Sequence, residues 1–346
     1  MEPFNLNNLL RKNIKNLKPY SSARDEYSGE AMVFLDANEN PFNQPYNRYP
    51  DPHQRELKKK IAKLKDVQPE QIFLGNGSDE PIDLLIRAFC EPRENNILTI
   101  NPSYGMYQVA AGINDVEVRK VSLNGNFDLD AGELLEQADN NSRIVFLCSP
   151  NNPSGNCLSK EAMLEVIRNF RGIVVLDEAY IDFSPGKSLL PEINDHPNLV
   201  ILQTFSKAWG MAGIRLGMAF ASPEIISALS KIKYPYNLNI LTQQKAIELT
   251  DSREQVEEWI RQIIHEREKL ILRLKELPCT EKIFPTDANF VLVKMRDARG
   301  IYELLKEHGV IVRDRSKVHL CEDSLRITVG SAEENDHLMK TLTKII

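Results

Sequence analysis

Lys207 and Arg215 are the residues whose types and spacing are best suited to chemistry in this sequence. Lys207 follows an apolar and β-branched run, 199–204, that is typical of a buried strand. Burial of an unpaired ammonium is strongly unfavourable, so lysines usually stay in water. A desolvated lysine amine is the nucleophile that forms a Schiff base with a carbonyl compound. The segment alone therefore leaves both a solvated loop lysine and a Schiff-base lysine open.

Four further apolar runs are each followed by polar or glycine-rich residues. They are 71–74, 96–100, 143–148 and 173–176. Helices are predicted between them, for example over 79–90 and 159–170. Ligands of an open α/β sheet bind just beyond the carboxyl ends of its strands. One site is therefore expected to collect all five loops.

Two of these loops have specific chemical interpretations. The loop Gly75–Asp79 has the composition of a phosphate cradle at a helix N-terminus, and equally that of a simple turn. The loop does not match the G-x-G-x-x-G fingerprint of a dinucleotide-binding site, because Glu80 stands where that fingerprint has its third glycine. Asp177, at the end of 173–176, is suited to capping a helix or to binding a cation.

Three segments together resemble the pyridoxal-phosphate-dependent aminotransferases of fold type I. They are SPNNPSG (149–155), VVLDEAY (174–180) and FSKAWGMAGIRLG (205–217), in that order. The resemblance covers nearly the whole chain. It implies an α/β fold whose large domain has a mostly parallel seven-stranded sheet between helices. A smaller α+β C-terminal domain and an N-terminal arm complete the implied architecture.

The resemblance also implies a role for each matching residue. Lys207 would carry pyridoxal 5'-phosphate as a covalent imine and then move the substrate's proton, with Asp177 and Tyr180 as the other catalytic residues. Asp177 would pair with the ring nitrogen, Tyr180 and Asn152 would bind the phenolate oxygen, and Tyr104 would stack on the ring. The residues implied around the cofactor phosphate are Gly77, Ser78, Asp79, Ser206 and Arg215.

Five outer segments narrow the resemblance to the histidinol-phosphate aminotransferases: 17–20, 35–41, 47–50, 309–314 and 325–330. In that subfamily Arg326 would meet the acidic end of the substrate, assisted by Arg313 and Tyr20, with Asn38 also in the substrate site. Tyr49 would reach the cofactor phosphate of a neighbouring subunit, so a homodimer with shared active sites is implied. Solvated charge is the alternative interpretation of the two arginines, and their position within apolar strand-like runs argues against it.

The predicted function is transamination between L-histidinol phosphate and 2-oxoglutarate in histidine biosynthesis. An aromatic amino-acid aminotransferase or a threonine-phosphate decarboxylase on the same scaffold is the alternative. A nucleotide-dependent dehydrogenase is disfavoured by the interrupted glycine fingerprint. A DNA-binding regulator is disfavoured because the arm of about 30 residues is too short for a helix-turn-helix module.

Composition agrees with a small-molecule enzyme. The formal net charge of -6 gives no general attraction to nucleic acid or to an anionic membrane surface. No apolar run has membrane-spanning length, and the N-terminus lacks the pattern of a signal peptide. The five cysteines form no C-x-x-C pair, which favours reduced thiols in the cytoplasm, and the six histidines show no metal-binding spacing.

The predicted organisation is an arm over 1–30, a large cofactor-binding domain over 31–250 and a small domain over 251–346. The arm begins with apolar residues on one helical face, namely Leu6, Leu9, Leu10, Ile14 and Leu17. A long charged helix over 252–277 is expected to lead into the small domain. Strands are expected there at 288–293, 310–312 and 325–329, with helices at 297–308 and 332–345.

Overall fold

The computed structural model describes residues 4–21 and 33–346, which contain a seven-stranded and a four-stranded sheet with helices packed around them. The strands are β1 (Ile72–Asn76), β2 (Asn96–Asn101), β3 (Glu117–Ser122), β4 (Ser142–Cys148), β5 (Ile173–Asp177), β6 (Leu199–Thr204), β7 (Leu216–Phe220), β8 (Thr280–Ile283), β9 (Phe290–Met295), β10 (Arg313–Asp314) and β11 (Ser324–Thr328). The α-helices are α1 (Leu6–Leu9), α2 (Lys12–Lys15), α3 (Arg55–Lys65), α4 (Asp79–Phe89), α5 (Met106–Ile113), α6 (Ala131–Glu136), α7 (Lys160–Asn169), α8 (Pro223–Ile232), α9 (Ile240–Thr250), α10 (Arg253–Lys275), α11 (Ala298–Glu307) and α12 (Ala332–Ile345).

The large sheet has the strand order β1-β7-β6-β5-β4-β2-β3. Its strands pair in parallel from β6 to β3, whereas β7 runs antiparallel to both β1 and β6. The predicted fold class, a mostly parallel seven-stranded sheet between helices, is confirmed. Because β4, β5 and β6 are adjacent and parallel, their carboxyl ends meet at one edge of the sheet.

Helices cover both faces of this sheet, as the near-continuous apolar composition of its strands requires. Alternate residues of β5 enter different cores: Val174 and Leu176 pack on one face, and Ile173 and Val175 on the other. The first face receives α3, α6 and α7, and the second receives α4, α5 and α8. The sheet is thereby held between two apolar layers, and its loops are fixed at the edge.

A separate core lies on the four-stranded sheet, whose order is β10-β11-β9-β8. Side chains of β9 and β11 pack there against α10, α11 and α12. The helix predicted over 252–277 is confirmed as α10, and its first turn still contributes Val256 to the large-sheet core. We propose the domain division 31–250 and 251–346 on this separation of cores.

The expectation of one apolar helical face in the arm is wrong. α1 and α2 are single turns separated by an extended residue, Leu10, and Leu17 is exposed. The break has a local cause, because Arg11 donates its backbone N–H to Ala88 O (3.0 Å) and pairs with Glu91 at 3.2 Å. These bonds hold the chain at the end of α4, and the apolar side chains before the break pack on this chain's own second core.

The strand expected at 310–312 is also displaced, since the short strand β10 begins only at Arg313. Val310 instead donates its backbone N–H to Leu305 O (2.9 Å) after Gly309, whose φ is +77°. This is the αL ending of a helix, which satisfies carbonyls that α11 leaves free. In the described parts of the chain, no helix combines the length and apolar character needed to cross a membrane.

Candidate active site

A single cavity at the carboxyl edge of the large sheet brings together most of the sequence-predicted residues. Its volume is about 90 Å³. The lining contains ten of them: Gly77, Ser78, Asp79, Tyr104, Asn152, Asp177, Tyr180, Ser206, Lys207 and Arg215. Cys148, Ala179 and Thr204 complete it. The five loops that follow β1, β2, β4, β5 and β6 therefore converge, as the strand-end argument expects.

One end of the cavity is an anion cradle built from a glycine turn, a helix N-terminus and an arginine. Gly77 has φ +68° and donates its backbone N–H to Arg215 O at 2.8 Å. A Cβ at Gly77 would lie 2.6 Å from the Arg215 guanidinium, and a Cβ at Gly217 would overlap the Gly77 backbone. Helix α4 begins at Asp79, so its free N–H groups face the same space. The glycines here are required by close approach of two chain segments.

Ser206 and Thr204 add hydroxyl groups to this cradle, with their oxygen atoms 3.0 Å apart. Arg215 has a left-handed backbone conformation, φ +56°, which directs it across the turn. Its guanidinium lies 3.7 Å from the Asp79 carboxylate, and both side chains are substantially exposed. A helix N-terminus beside an arginine and two hydroxyls is a set of donors that suits a phosphate group.

Asp177 is a fully buried carboxylate at the centre of the sheet edge. Tyr107 donates its hydroxyl to Oδ2 at 2.7 Å, and the Ala179 backbone N–H donates to Oδ1 at 3.1 Å. Burial raises the pKa of Asp177, while the two donors and the Lys207 charge act in the opposite direction. A carboxylate held this way has a strong preference for a cationic partner.

Lys207 lies across the cavity from this carboxylate. Its ammonium is 5.4 Å from the centre of the Tyr180 ring. The pKa of Lys207 is lowered, mainly by burial and then by the charges of Arg326 and Arg215, with Asp177 opposing. A lowered pKa increases the fraction of neutral amine, which is the form that attacks a carbonyl and accepts a proton.

Asn152 links the large sheet to the small one. It donates to the Tyr180 hydroxyl at 3.4 Å and accepts from Arg326 at 2.5 Å. Arg326, on β11, also lies over the Phe290 ring at 5.3 Å from its centre. Burial raises the pKa of Tyr180, so its hydroxyl stays protonated and able to donate. Tyr104 forms the opposite wall, with its hydroxyl donating to Asp79 at 3.1 Å.

Five predicted residues lie outside the cavity lining of this chain. Arg326 and its cross-strand partner Arg313 are both on the small sheet. Tyr49 is half exposed and stacks on Tyr236, with ring centres 4.4 Å apart. Tyr20 is exposed in a small pocket beside Pro52 and Lys231, and Asn38 is exposed with a φ of +54°. Tyr49, the residue predicted to meet a neighbouring subunit, is thus on the surface.

Two residues with clear relations to the site are absent from the sequence-based set. Tyr107 donates to Asp177, and the available signal was its position three residues after Tyr104, in the first turn of α5. Arg315 lies close enough to Arg326 and Tyr180 for their charges to affect its pKa. Its signal was its spacing of two from Arg313, which places both on one side of an extended segment.

A larger cavity, of about 730 Å³, lies elsewhere, between α10 and the segment 181–194. Its lining includes Trp209, whose indole N–H donates to Asp182 at 3.1 Å, but not Lys207. Asp182 also pairs with Lys65, so the charges at that position already have partners. The chemical types of the lining residues, and not the cavity volume, therefore identify the candidate active site.

Comparisons with known proteins agree with this geometry. The family model described as aminotransferase class I and II matches residues 31–342. A histidinol-phosphate aminotransferase of Parabacteroides distasonis is 57% identical over 337 residues, which cover 97% of this chain and 98% of that protein.

Solved structures share the fold over most of the chain. The histidinol-phosphate aminotransferase from Clostridium acetobutylicum has a TM-score of 0.80 at 27% identity, covering 87% of this chain and 91% of that one. The enzyme of the same name from Sinorhizobium meliloti, solved in complex with pyridoxal-5'-phosphate, has a TM-score of 0.78 at 24% identity, covering 86% and 84%. The matching family model and the close relative together establish that this chain belongs to the class I and II aminotransferases.

Proposed function

We propose that this aminotransferase uses pyridoxal 5'-phosphate to interconvert L-histidinol phosphate and 2-oxoglutarate with imidazole-acetol phosphate and L-glutamate, a step of histidine biosynthesis. The observation that carries the proposal is one cavity containing a lysine of lowered pKa, a buried carboxylate and an anion cradle. The name of the 57% identical relative supports this choice of substrate.

The residues of the cavity fit this cofactor. The Gly77 turn, the start of α4 and Arg215 would hold its phosphate, in a cradle that a Cβ at Gly77 would obstruct. Asp177 would hold the ring nitrogen in its protonated form, and Tyr180 with Asn152 would bind the phenolate oxygen. When bound, pyridoxal phosphate supplies an aldehyde that condenses with amines and a ring that accepts electrons.

Lys207 performs the proton transfer in this proposal. Its amine would hold the cofactor through the cofactor's aldehyde carbon until a substrate amine takes that place. The released amine would then move one proton from the substrate α-carbon to that carbon of the cofactor. The Arg326 and Arg215 charges help to keep this amine neutral, which suits it to act as the base.

Arg326 positions the substrate from the small-sheet side. Histidinol phosphate carries a phosphate, and glutamate carries two carboxylates, so both substrates present an anion to this arginine. A planar guanidinium binds either group through two parallel hydrogen bonds. The bond from Arg326 to Asn152 supports this role, because it brings the guanidinium beside the residue proposed to bind the phenolate oxygen.

We also propose a cytoplasmic homodimer in which Tyr49 reaches the cofactor phosphate of the partner's active site, with Tyr20 and Asn38 in the substrate site. Tyr49 lies in a surface segment unusually rich in exposed large apolar side chains: Val33, Phe34, Leu35, Phe42, Tyr46 and Tyr49. Such a concentration of exposed apolar groups is characteristic of an interaction surface. Five thiols without a disulfide suit a reducing compartment.

Half-reactions test the proposed substrate directly. Purified, cofactor-loaded protein is mixed with histidinol phosphate, phenylalanine or threonine phosphate, and loss of the visible cofactor absorbance is followed. We expect the ratio of the half-reaction rate constant to the substrate dissociation constant to be largest with histidinol phosphate. None of the three compounds should release carbon dioxide. Preference for phenylalanine, or release of carbon dioxide from threonine phosphate, would replace the proposed function with one of the two alternatives.

Tyr107 is expected to support cofactor binding through Asp177. Tyr107→Phe removes the 2.7 Å donor to a fully buried carboxylate. Hydrogen bonds to charged groups contribute about 1.5–3 kcal/mol, so the cofactor dissociation constant should rise about ten- to hundredfold. Titration of the apoprotein by absorbance measures this constant.

The matched control for this variant is Phe146→Leu, which loosens the ring stacked on Tyr107 at 4.7 Å but keeps the hydroxyl. It should lower thermal stability with a much smaller effect on cofactor affinity. Equal losses of cofactor affinity in both variants would show that Tyr107 acts only through packing.

A further inference from the structure

Arg315 lies on the same side of the small sheet as the two arginines already placed near the substrate. Arg313 faces Arg326 across β10 and β11, and the backbone N–H of Arg315 donates to Ser324 O at 2.8 Å, which continues this pairing. Side chains two residues apart on an extended segment project to the same face. Three guanidinium groups are therefore grouped beside the cavity.

Arg315 has a buried donor that no described residue satisfies. Its Nε atom is inaccessible and has no hydrogen-bond partner in the described parts of the chain, although the side chain is only partly buried. Within residues 4–21 and 33–346, no ion pair includes any of the three arginines. A buried polar group without a partner in a native structure calls for a ligand or another cause.

The surroundings of Arg315 indicate the sign of the ligand's charge and the position of the ligand. Burial and then the charges of Arg326 and Arg313 lower the pKa of Arg315 to about 10. A negative charge on Tyr180, which lines the active-site cavity, would raise the pKa of both Arg315 and Arg326. The group with the unsatisfied donor is thus near the reacting end of the site, in a positive potential suited to an anion.

We infer that Arg315 is a specificity-determining residue of the substrate's anion subsite, where it favours a phosphate monoester over a carboxylate. This inference rests on the proposed function. A carboxylate has two oxygen atoms and one charge, which one or two guanidinium groups satisfy. A phosphate monoester has three terminal oxygen atoms and close to two charges, so it can use a third guanidinium. Arg315 should therefore serve histidinol phosphate and not glutamate.

The test compares Arg315→Gln and Arg315→Lys with Lys317→Gln, which removes one positive charge from an exposed position in the same loop. Arg315→Gln should raise KM for histidinol phosphate about ten- to hundredfold, the loss expected for one charge-assisted hydrogen bond. KM for glutamate and both kcat values should change much less. Arg315→Lys keeps the charge but not the planar fork, so it should recover only part of the affinity.

Inorganic phosphate provides a second measurement on the cofactor-loaded enzyme, in which the other anion cradle is filled. It should inhibit the glutamate half-reaction by competition, with an inhibition constant that rises in Arg315→Gln and stays near wild type in Lys317→Gln. Equal changes of KM for both substrates, or an unchanged phosphate inhibition constant, would overturn the inference. Failure of wild type to convert histidinol phosphate would refute the proposed function, while the phosphate competition would still decide the role of Arg315.

Discussion

Replacement of Lys207 by alanine is expected to abolish turnover while the protein still folds. The side chain is accessible to solvent, belongs to neither core of the large sheet and makes no ion pair among the described residues, so its removal leaves the cores intact. General acid–base catalysis alone contributes about a hundred- to ten-thousandfold to rate, and the variant also loses covalent attachment of the cofactor. Steady-state transamination and circular dichroism are the measurements.

Borohydride reduction and peptide mass spectrometry separate the two roles of Lys207. Wild type should carry the reduced cofactor on Lys207, and the variant should carry none while still binding cofactor noncovalently in the Gly77 cradle. The matched control is Lys187→Ala, because Lys187 pairs with Asp287 at 2.7 Å and lies outside the lining of this cavity. Normal turnover of the Lys207 variant would defeat the assignment of this lysine.

The convergence of the site could be predicted because it depends on local signals. Each relevant strand is a short apolar run that ends in a polar loop, and parallel pairing of β4, β5 and β6 brings those ends together by geometry alone. Predicted helices begin and end within one residue of α4 and α7 for the same reason, since the apolar periodicity is uninterrupted there.

Contacts across the fold could not be predicted in this way. Tyr107 and Asp177 are 70 residues apart, and only the packing of α5 on the sheet brings the hydroxyl to the carboxylate. The break between α1 and α2 likewise depends on Glu91 and Ala88, far along the chain from Arg11. Arg315 was missed because an arginine in a polar loop gives no sign of burial until β10 and β11 are paired.

The surface position of Tyr49 has a different origin. Its proposed role requires a second copy of the chain, and contacts between copies leave no local pattern in the sequence. Tyr49 is held by its stack on Tyr236, which adjoins the segment that contacts the end of β1 through Asn237. The tyrosine is therefore fixed in position at the surface, which is what a residue serving a partner's site requires.

Replacement of Asp177 by asparagine is expected to slow proton removal from the substrate without preventing cofactor attachment at Lys207. Asparagine is nearly the same size but carries no charge, so it cannot keep the cofactor ring nitrogen protonated, and the ring accepts electrons less well. Breaking a buried charge pair costs about 3–5 kcal/mol, which corresponds to a rate about 100- to 10,000-fold lower. Stopped-flow absorbance of the glutamate half-reaction measures the rate, and α-deuterated glutamate should show a larger isotope effect than with wild type.

The neighbouring carboxylate provides the matched control. Glu178 is equally buried, but it accepts hydrogen bonds from Ser188, the Leu189 backbone and Gln203, and it does not line the cavity. Glu178→Gln should lower the thermal midpoint and leave the isotope effect unchanged.

Because burial raises the pKa of Asp177, wild type should also lose rate as the pH falls through that pKa and the carboxylate becomes neutral, whereas the asparagine variant should lack this acidic limb. If Asp177→Asn had the same rate constant as wild type, the proposed role of the Asp177 charge in proton removal would be wrong.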